Sequence, residues 1–175
     1  MREKSPVQHL VNTFTNLVVV IALAWFLVHS FLTTVEISGH SMEPAVSAND
    51  IVLVDRLSYT LTKPKRMDIV VFQRSDATEN VKRVIGLPGE TVVIQNGRIY
   101  INGNLLESTE ISSISLSGIA EKPVELMDDE YFLIGDNADS SEDSRFINVG
   151  NVKRSQILGK IWFRLLPLGK IGPVK

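Results

Sequence analysis

The chain has 175 residues, with 18 Lys and Arg against 20 Asp and Glu, and its formal net charge of −2 argues against a strongly basic nucleic-acid binder. Its length leaves room for one domain of ordinary size with an appendage. It contains no cysteine, which excludes disulfides, thiolate nucleophiles, iron–sulfur clusters and cysteine-bound zinc, and its three histidines (His9, His29 and His40) lack the spacing of a zinc site.

The first predicted element is an apolar segment. Leu17–Val28 is twelve consecutive apolar residues, and no Asp, Glu, Lys or Arg occurs from Leu10 to Val35. A membrane-spanning helix needs about 20 predominantly apolar residues. Residues 10–35 are therefore read as a transmembrane anchor, with residues 1–9 as a short cytoplasmic N-terminus and His29 as an interfacial residue. A cleaved secretory signal requires a small-x-small site, and no convincing Ala-x-Ala appears in His29–Val35 after the run. A surface helix requires a polar face, and the run has none. Arg2 and Lys4, opposed only by Glu3, orient the N-terminus to the cytoplasm and residues 36–175 to the outside.

Beyond the anchor the pattern is mostly strand. Ile51–Val54, Asp68–Phe72 and Val81–Ile85 are short β-rich runs, the last stopped by Gly86 and Pro88. Thr91–Gln95 and Arg98–Ile101 flank Asn96-Gly97, the sequence of a tight hairpin turn with φ > 0 at both central residues. A second Asn-Gly pair, Asn102-Gly103, follows at once. Residues 107–121, rich in Ser, Thr and Glu, read as a surface loop. Glu130–Ile134 and Ile157–Leu166 are the final strands, and the anchor is the only helix expected. Short strands at close turn spacing predict a mainly β fold, an antiparallel β-sandwich or barrel-like domain with one N-terminal transmembrane helix.

Three segments could carry chemistry: Ser38–Pro44, Val81–Gly89 and Gly135–Arg145. A serine hydroxyl is a weak nucleophile until a base removes its proton. His40 adjoins Ser41, but neighbours on an extended chain point to opposite faces, so the two make an awkward pair. A lysine can be the base if burial keeps it neutral, and Lys82 lies mid-strand among Val81, Val84 and Ile85. By alternation Arg83 points to the other face. Each segment also has a plainer reading: a surface turn for Ser-Met-Glu-Pro, a solvated strand lysine for Lys82, a calcium loop for Asp136, Asp139, Glu142 and Asp143. The acidic segment lacks the glycine and terminal Glu of the EF-hand pattern.

Taken in order, the segments resemble the type I signal peptidase family of membrane-anchored Ser/Lys proteases. The matching pieces are Ser38-Gly-His-Ser-Met-Glu-Pro44, Asp68-Ile-Val-Val-Phe72, Lys82-Arg-Val-Ile-Gly-Leu-Pro-Gly-Glu90, Gly135-Asp-Asn137 and Ser141-Glu-Asp-Ser-Arg145, with the anchor before them. The resemblance implies Ser41 as nucleophile and Lys82 as general base. It implies that Ser141 hydrogen-bonds and orients the lysine, and that Asp143 and Arg145 support the site. Val35, Ile37, Met42, Val71 and Val81 match positions lining shallow pockets for small side chains. Gly39 stands where some members carry a serine that donates to the oxyanion. Ala45 and Ala138 replace a common Thr and a common Arg.

The implied activity is removal of N-terminal signal peptides from exported preproteins after small-x-small sequences. The implied partners are preprotein signal peptides and membrane lipid, with no metal, cofactor or nucleic acid, in a single-pass protein of the cell membrane. A non-catalytic anchored β-rich binding module and a Ser/Lys self-cleaving repressor-like protease are the alternatives. The intact Ser41, Lys82 and Ser141 count against the first, and the absence of a DNA-binding head against the second.

Overall fold

Residues 6–174 are described by a computed structural model, except for the side chains of residues 27–31. Arg2, Glu3 and Lys4, on which the expected orientation rests, and the His29 side chain lie outside the described residues. The apolar segment forms helix α1, Pro6–Phe31. Proline is tolerated at a helix start, where its missing N–H has no partner to lose. Residues Pro6–Phe26 are long and apolar enough to cross a membrane, and none of that stretch is buried against the rest of the protein. The helix differs from the expected span of 10–35. It begins earlier, and it stops at Phe31, where the chain passes directly into strand β1, Leu32–Glu36. Thr33-Thr34-Val35 is a β-branched run with strand preference, a signal masked in the sequence by its continuity with the uncharged segment.

The remaining strands are β2 (Ile51–Asp55), β3 (Ile69–Gln73), β4 (Glu79–Gly86), β5 (Thr91–Gln95), β6 (Arg98–Ile101), β7 (Asn104–Leu105), β8 (Val124–Glu125), β9 (Glu130–Ile134), β10 (Val152–Lys153), β11 (Ile157–Leu166) and β12 (Gly172–Pro173). They form two sheets, one ordered β1-β2-β11-β3-β4-β9-β10 with β12 against β11, the other β7-β6-β5-β8. Every pairing is antiparallel. The mainly β architecture is the expected one, and the β5–β6 hairpin falls on the expected residues, with φ of 51° at Asn96 and 72° at Gly97. A four-residue helix α2, Ser58–Leu61, was not expected, nor were the two-residue strands β7, β8, β10 and β12.

The unbroken apolar runs have buried residues on both faces. In β3, Val70 and Phe72 pack with Val84, Tyr131 and Leu133, while Ile69 and Val71 pack with Met42, Val46, Val52 and Ile161. In β9, Phe132 and Ile134 turn toward Val92, Ile94 and Ile99 of the second sheet. These strands are covered on both sides, so they lack alternation. The segment 107–121 is more than a surface loop: Ile114 and Ala120 are buried in the core between the sheets.

Candidate active site

Strand β4 lies between β3 and β9, with Lys82 opposite Val70. Lys82 is 3% exposed. Its Nζ donates to Ser41 Oγ at 2.8 Å and to the Val81 carbonyl at 3.1 Å. Burial lowers its pKa to about 8, because the charged ammonium loses hydration. Asp143 and Glu142 act the other way by attraction, and Arg74 adds to the lowering by repulsion. About a tenth of such an amine is neutral at pH 7. In that form the Ser41 contact reverses, and the hydroxyl donates to the amine lone pair.

Ser41 sits in the segment joining β1 to β2. Met42 and Val46, both buried, pin this segment into the core below, and Val46 N–H donates to the Met42 carbonyl at 3.0 Å. From above, Asn137 holds it twice: its N–H donates to the Ser41 carbonyl at 3.0 Å and its Nδ2 to the His40 carbonyl at 3.2 Å. Among the described residues nothing accepts a hydrogen bond from the Ser41 N–H, so a free donor stands beside the hydroxyl. A β-carbon on Gly39 would meet nothing within 4 Å. The His40 ring instead contacts Glu43 at 2.9 Å, so the side chain that meets Ser41 Oγ is that of Lys82.

The segment Gly135–Arg145 is a hydrogen-bonded frame beside this pair, with Asp136, Ser141, Asp143, Ser144 and Arg145 buried and Asp139, Ser140 and Glu142 exposed. Asp143, fully buried, accepts from Ser141 Oγ at 2.6 Å, Gly135 N–H at 3.1 Å and Arg145 Nε at 2.8 Å. Arg145 also donates to the Leu116, Ala138 and Ser141 carbonyls. Asp143 and Arg145, expected to support the site, thus bind each other beside Gly135 and Ser141. The Ser141 hydroxyl donates to Asp143, and no hydrogen bond joins it to Lys82. The strong acceptor two residues on captures the hydroxyl that was expected to orient the lysine.

Several contributors were invisible in the sequence. Arg83, on the opposite face of β4 as alternation requires, makes a bidentate buried pair with Asp136, Nε to Oδ1 at 2.7 Å and Nη2 to Oδ2 at 2.6 Å. This ties the residue next to Lys82 to the residue next to Asn137. Gly135 is required by close approach: a β-carbon there would overlap the Ser41 carbonyl oxygen and Ser141 Oγ, and would lie 2.6 Å from Ser141 Cβ. The four acidic residues of the segment are dispersed onto different partners: Arg83 for Asp136, Ser115 for Asp139, Arg74 and Asn148 for Glu142, Arg145 for Asp143.

Beside Ser41 and Lys82 runs a groove with a cavity of about 110 Å³. Val35, Ile37, Gly39, Met42, Val71 and Val81 all line it, with Ser38, Asn80, Glu36 and Glu79 completing its walls. A larger hollow of about 420 Å³, along β6, β7 and residues 105–114, contains neither Ser41 nor Lys82. The small groove is lined by both Ser41 and Lys82.

Comparison with known proteins finds relatives over most of the chain. The profile described as signal peptidase, peptidase S26, matches residues 10–166. A probable signal peptidase I-2 of Synechocystis sp. is 36% identical over 143 residues, covering 78% of this chain and 64% of that protein. Signal peptidase I of Leptolyngbya laminosa is 38% identical over 149 residues, covering 78% and 71%. Signal peptidase I of Bacillus caldolyticus is 32% identical over 167 residues, covering 88% of each. Among solved structures, a signal peptidase I from Enterococcus faecalis V583 superposes with a TM-score of 0.46 at 28% identity, over 57% of this chain and 97% of that one.

Proposed function

The chain belongs to the signal peptidase family, peptidase S26, and from that premise we propose that it is a membrane-anchored serine endopeptidase that removes signal peptides from preproteins, with Ser41 as nucleophile and Lys82 as general base. The observation that carries this reading is the 2.8 Å contact between Lys82 Nζ and Ser41 Oγ, made by a lysine that is 3% exposed. Neutral Lys82 takes the hydroxyl proton as Oγ attacks the scissile carbonyl. The oxyanion receives the unpaired Ser41 N–H. Protonated Lys82 then gives its proton to the departing amine, leaving an acyl-serine. A water, deprotonated by Lys82, attacks that ester and frees the signal peptide.

The apolar floor of Val35, Ile37, Met42, Val71 and Val81 and the small size of the groove favour small side chains before the cleaved bond. This supports cleavage after small-x-small sequences. Helix α1 runs into β1 without a linker, and Ser41 lies six residues beyond Val35, so the groove stays near the lipid surface. A preprotein held in the same membrane by its own apolar segment meets the groove at high effective concentration. The N-terminus is assigned to the cytoplasm and the β domain to the outer side of the cell membrane.

The test is incubation of the purified chain, in detergent or lipid, with a preprotein and location of the cut by mass spectrometry. A single cut after a small-x-small sequence is expected, abolished by Ser41→Ala and by Lys82→Ala in folded protein. Cleavage near the parent rate by either variant refutes the assignment.

A further inference from the structure

We propose that Ser112 is a positioning residue for the reaction above, acting on Ser41 through Asn137; the role rests on that reading of the site. Ser112 lies between β7 and β8, in a segment remote in sequence from both Ser41 and Lys82. Its N–H donates to the Asp136 carbonyl at 2.8 Å, and its Oγ accepts from the Ala138 N–H at 2.9 Å. One residue therefore grips the chain on both sides of Asn137. Asn137 in turn holds the carbonyls of Ser41 and His40. Asp136, whose carbonyl Ser112 binds, is held at its carboxylate by Arg83, the neighbour of Lys82.

The segment around Ser112 is anchored well enough to do this. Ile114 is buried in the core between the sheets. Ser115 donates to Asp139 through its N–H at 3.0 Å and its Oγ at 2.7 Å. The Leu116 carbonyl accepts from Arg145 Nη1 at 3.0 Å, and Ile119 N–H donates to the Arg145 carbonyl at 2.9 Å. The segment is a clasp across the catalytic frame, and Ser112 is its contact with the residues flanking Asn137.

Removing the Ser112 hydroxyl leaves the N–H of Ala138, itself 1% exposed, without its acceptor. Asn137 is then free to shift, and Ser41 Oγ with it. Small displacements of reacting groups cost about a hundredfold in rate. The experiment compares preprotein cleavage by the full-length chain in detergent with that of Ser112→Ala, Ser112→Thr, Asn137→Ala and the Ser112→Ala/Asn137→Ala double variant, each normalised to folded protein. Ser112→Ala is expected to lower kcat about ten- to hundredfold with KM within about twofold. Ser112→Thr, which keeps the hydroxyl, is expected to restore most of the rate. The double variant is expected to be no slower than the slower single variant, because both act on one contact. A Ser112→Ala kcat within twofold of the parent, or single effects that multiply in the double variant, overturns the role while leaving the peptidase reading intact. A parent chain that neither cleaves a preprotein nor is acylated at Ser41 overturns both.

Discussion

Burial makes the charged form of Lys82 costly, and the fold bears a free-energy penalty for this that a single substitution can expose. Its pKa falls from an ordinary 10.5 to about 8 on folding. Each unit corresponds to 1.36 kcal/mol, so the lowering amounts to about 3 kcal/mol. The sign follows from proton counting. Below pH 8 the lysine is protonated in both states, and the full penalty is present. Between about 8 and 10.5 the unfolded chain binds the proton that the folded chain has released, so stability rises with pH, and above 10.5 the penalty is gone.

Lys82→Met, similar in length and without a charge, removes the titration. It also removes the contacts to Ser41 Oγ and the Val81 carbonyl, each worth about 1 kcal/mol net. The variant is expected to be inactive and, near pH 7, more stable than the parent by about 1 kcal/mol. The decisive quantity is the difference between the two proteins across pH, measured by urea unfolding of full-length chains in detergent, followed by circular dichroism. The parent should gain about 3 kcal/mol relative to the variant between pH 7 and 10.5. A difference independent of pH, or one that moves further in the variant's favour as pH rises, refutes the claim that a desolvated lysine sits at this position.

Other perturbations follow from the same geometry. Gly135→Ala drives a β-carbon into the Ser41 carbonyl and Ser141 Oγ, so preprotein cleavage should fall by at least about a hundredfold while circular dichroism still shows the β fold; a rate within tenfold of the parent shows that the loop can yield. The rate should rise with pH through about 8 in the parent as Lys82 loses its proton. Arg74→Gln removes a repulsion and frees the Glu142 carboxylate, so the rise should move to higher pH, and Glu142→Gln removes an attraction, so it should move to lower pH. Rate profiles that shift in the same direction in both variants contradict this electrostatic account.

Much of the frame was legible in local pattern. The β5–β6 hairpin follows from Asn96-Gly97, whose residues accept positive φ between two β-rich runs. The apolar helix follows from the absence of charge between Leu10 and Val35. Its end did not, because β1 is also uncharged as far as Val35 and becomes a strand only by pairing with β2, Leu32 opposite Asp55 through Glu36 opposite Ile51. The two-residue strands and the four-residue α2 are too short to carry a periodic signal. They are held by tertiary contacts, as when Tyr59 of α2 donates to Asp68 at 2.8 Å.

The site divides along the same line. Residue types and the order of motifs were sufficient to name Ser41, Lys82, Asp143, Arg145 and the six groove residues, because a hydroxyl, an amine in an apolar strand and a family pattern are properties of short segments. Which atoms meet is a property of long-range closure. Ser141 bonds Asp143 rather than Lys82, Arg83 finds Asp136 across 53 positions, and Ser112 reaches over to flank Asn137, because sheet pairing brings these segments together and the strongest nearby acceptor then captures each donor. The sequence by itself determined the apolar helix, the β-rich class and the chemical groups available. Only the tertiary structure decided that one of the lysines is dry, that its amine lies 2.8 Å from one serine hydroxyl, and which loops hold them there, since burial and hydrogen-bond choice depend on neighbours that are distant along the chain.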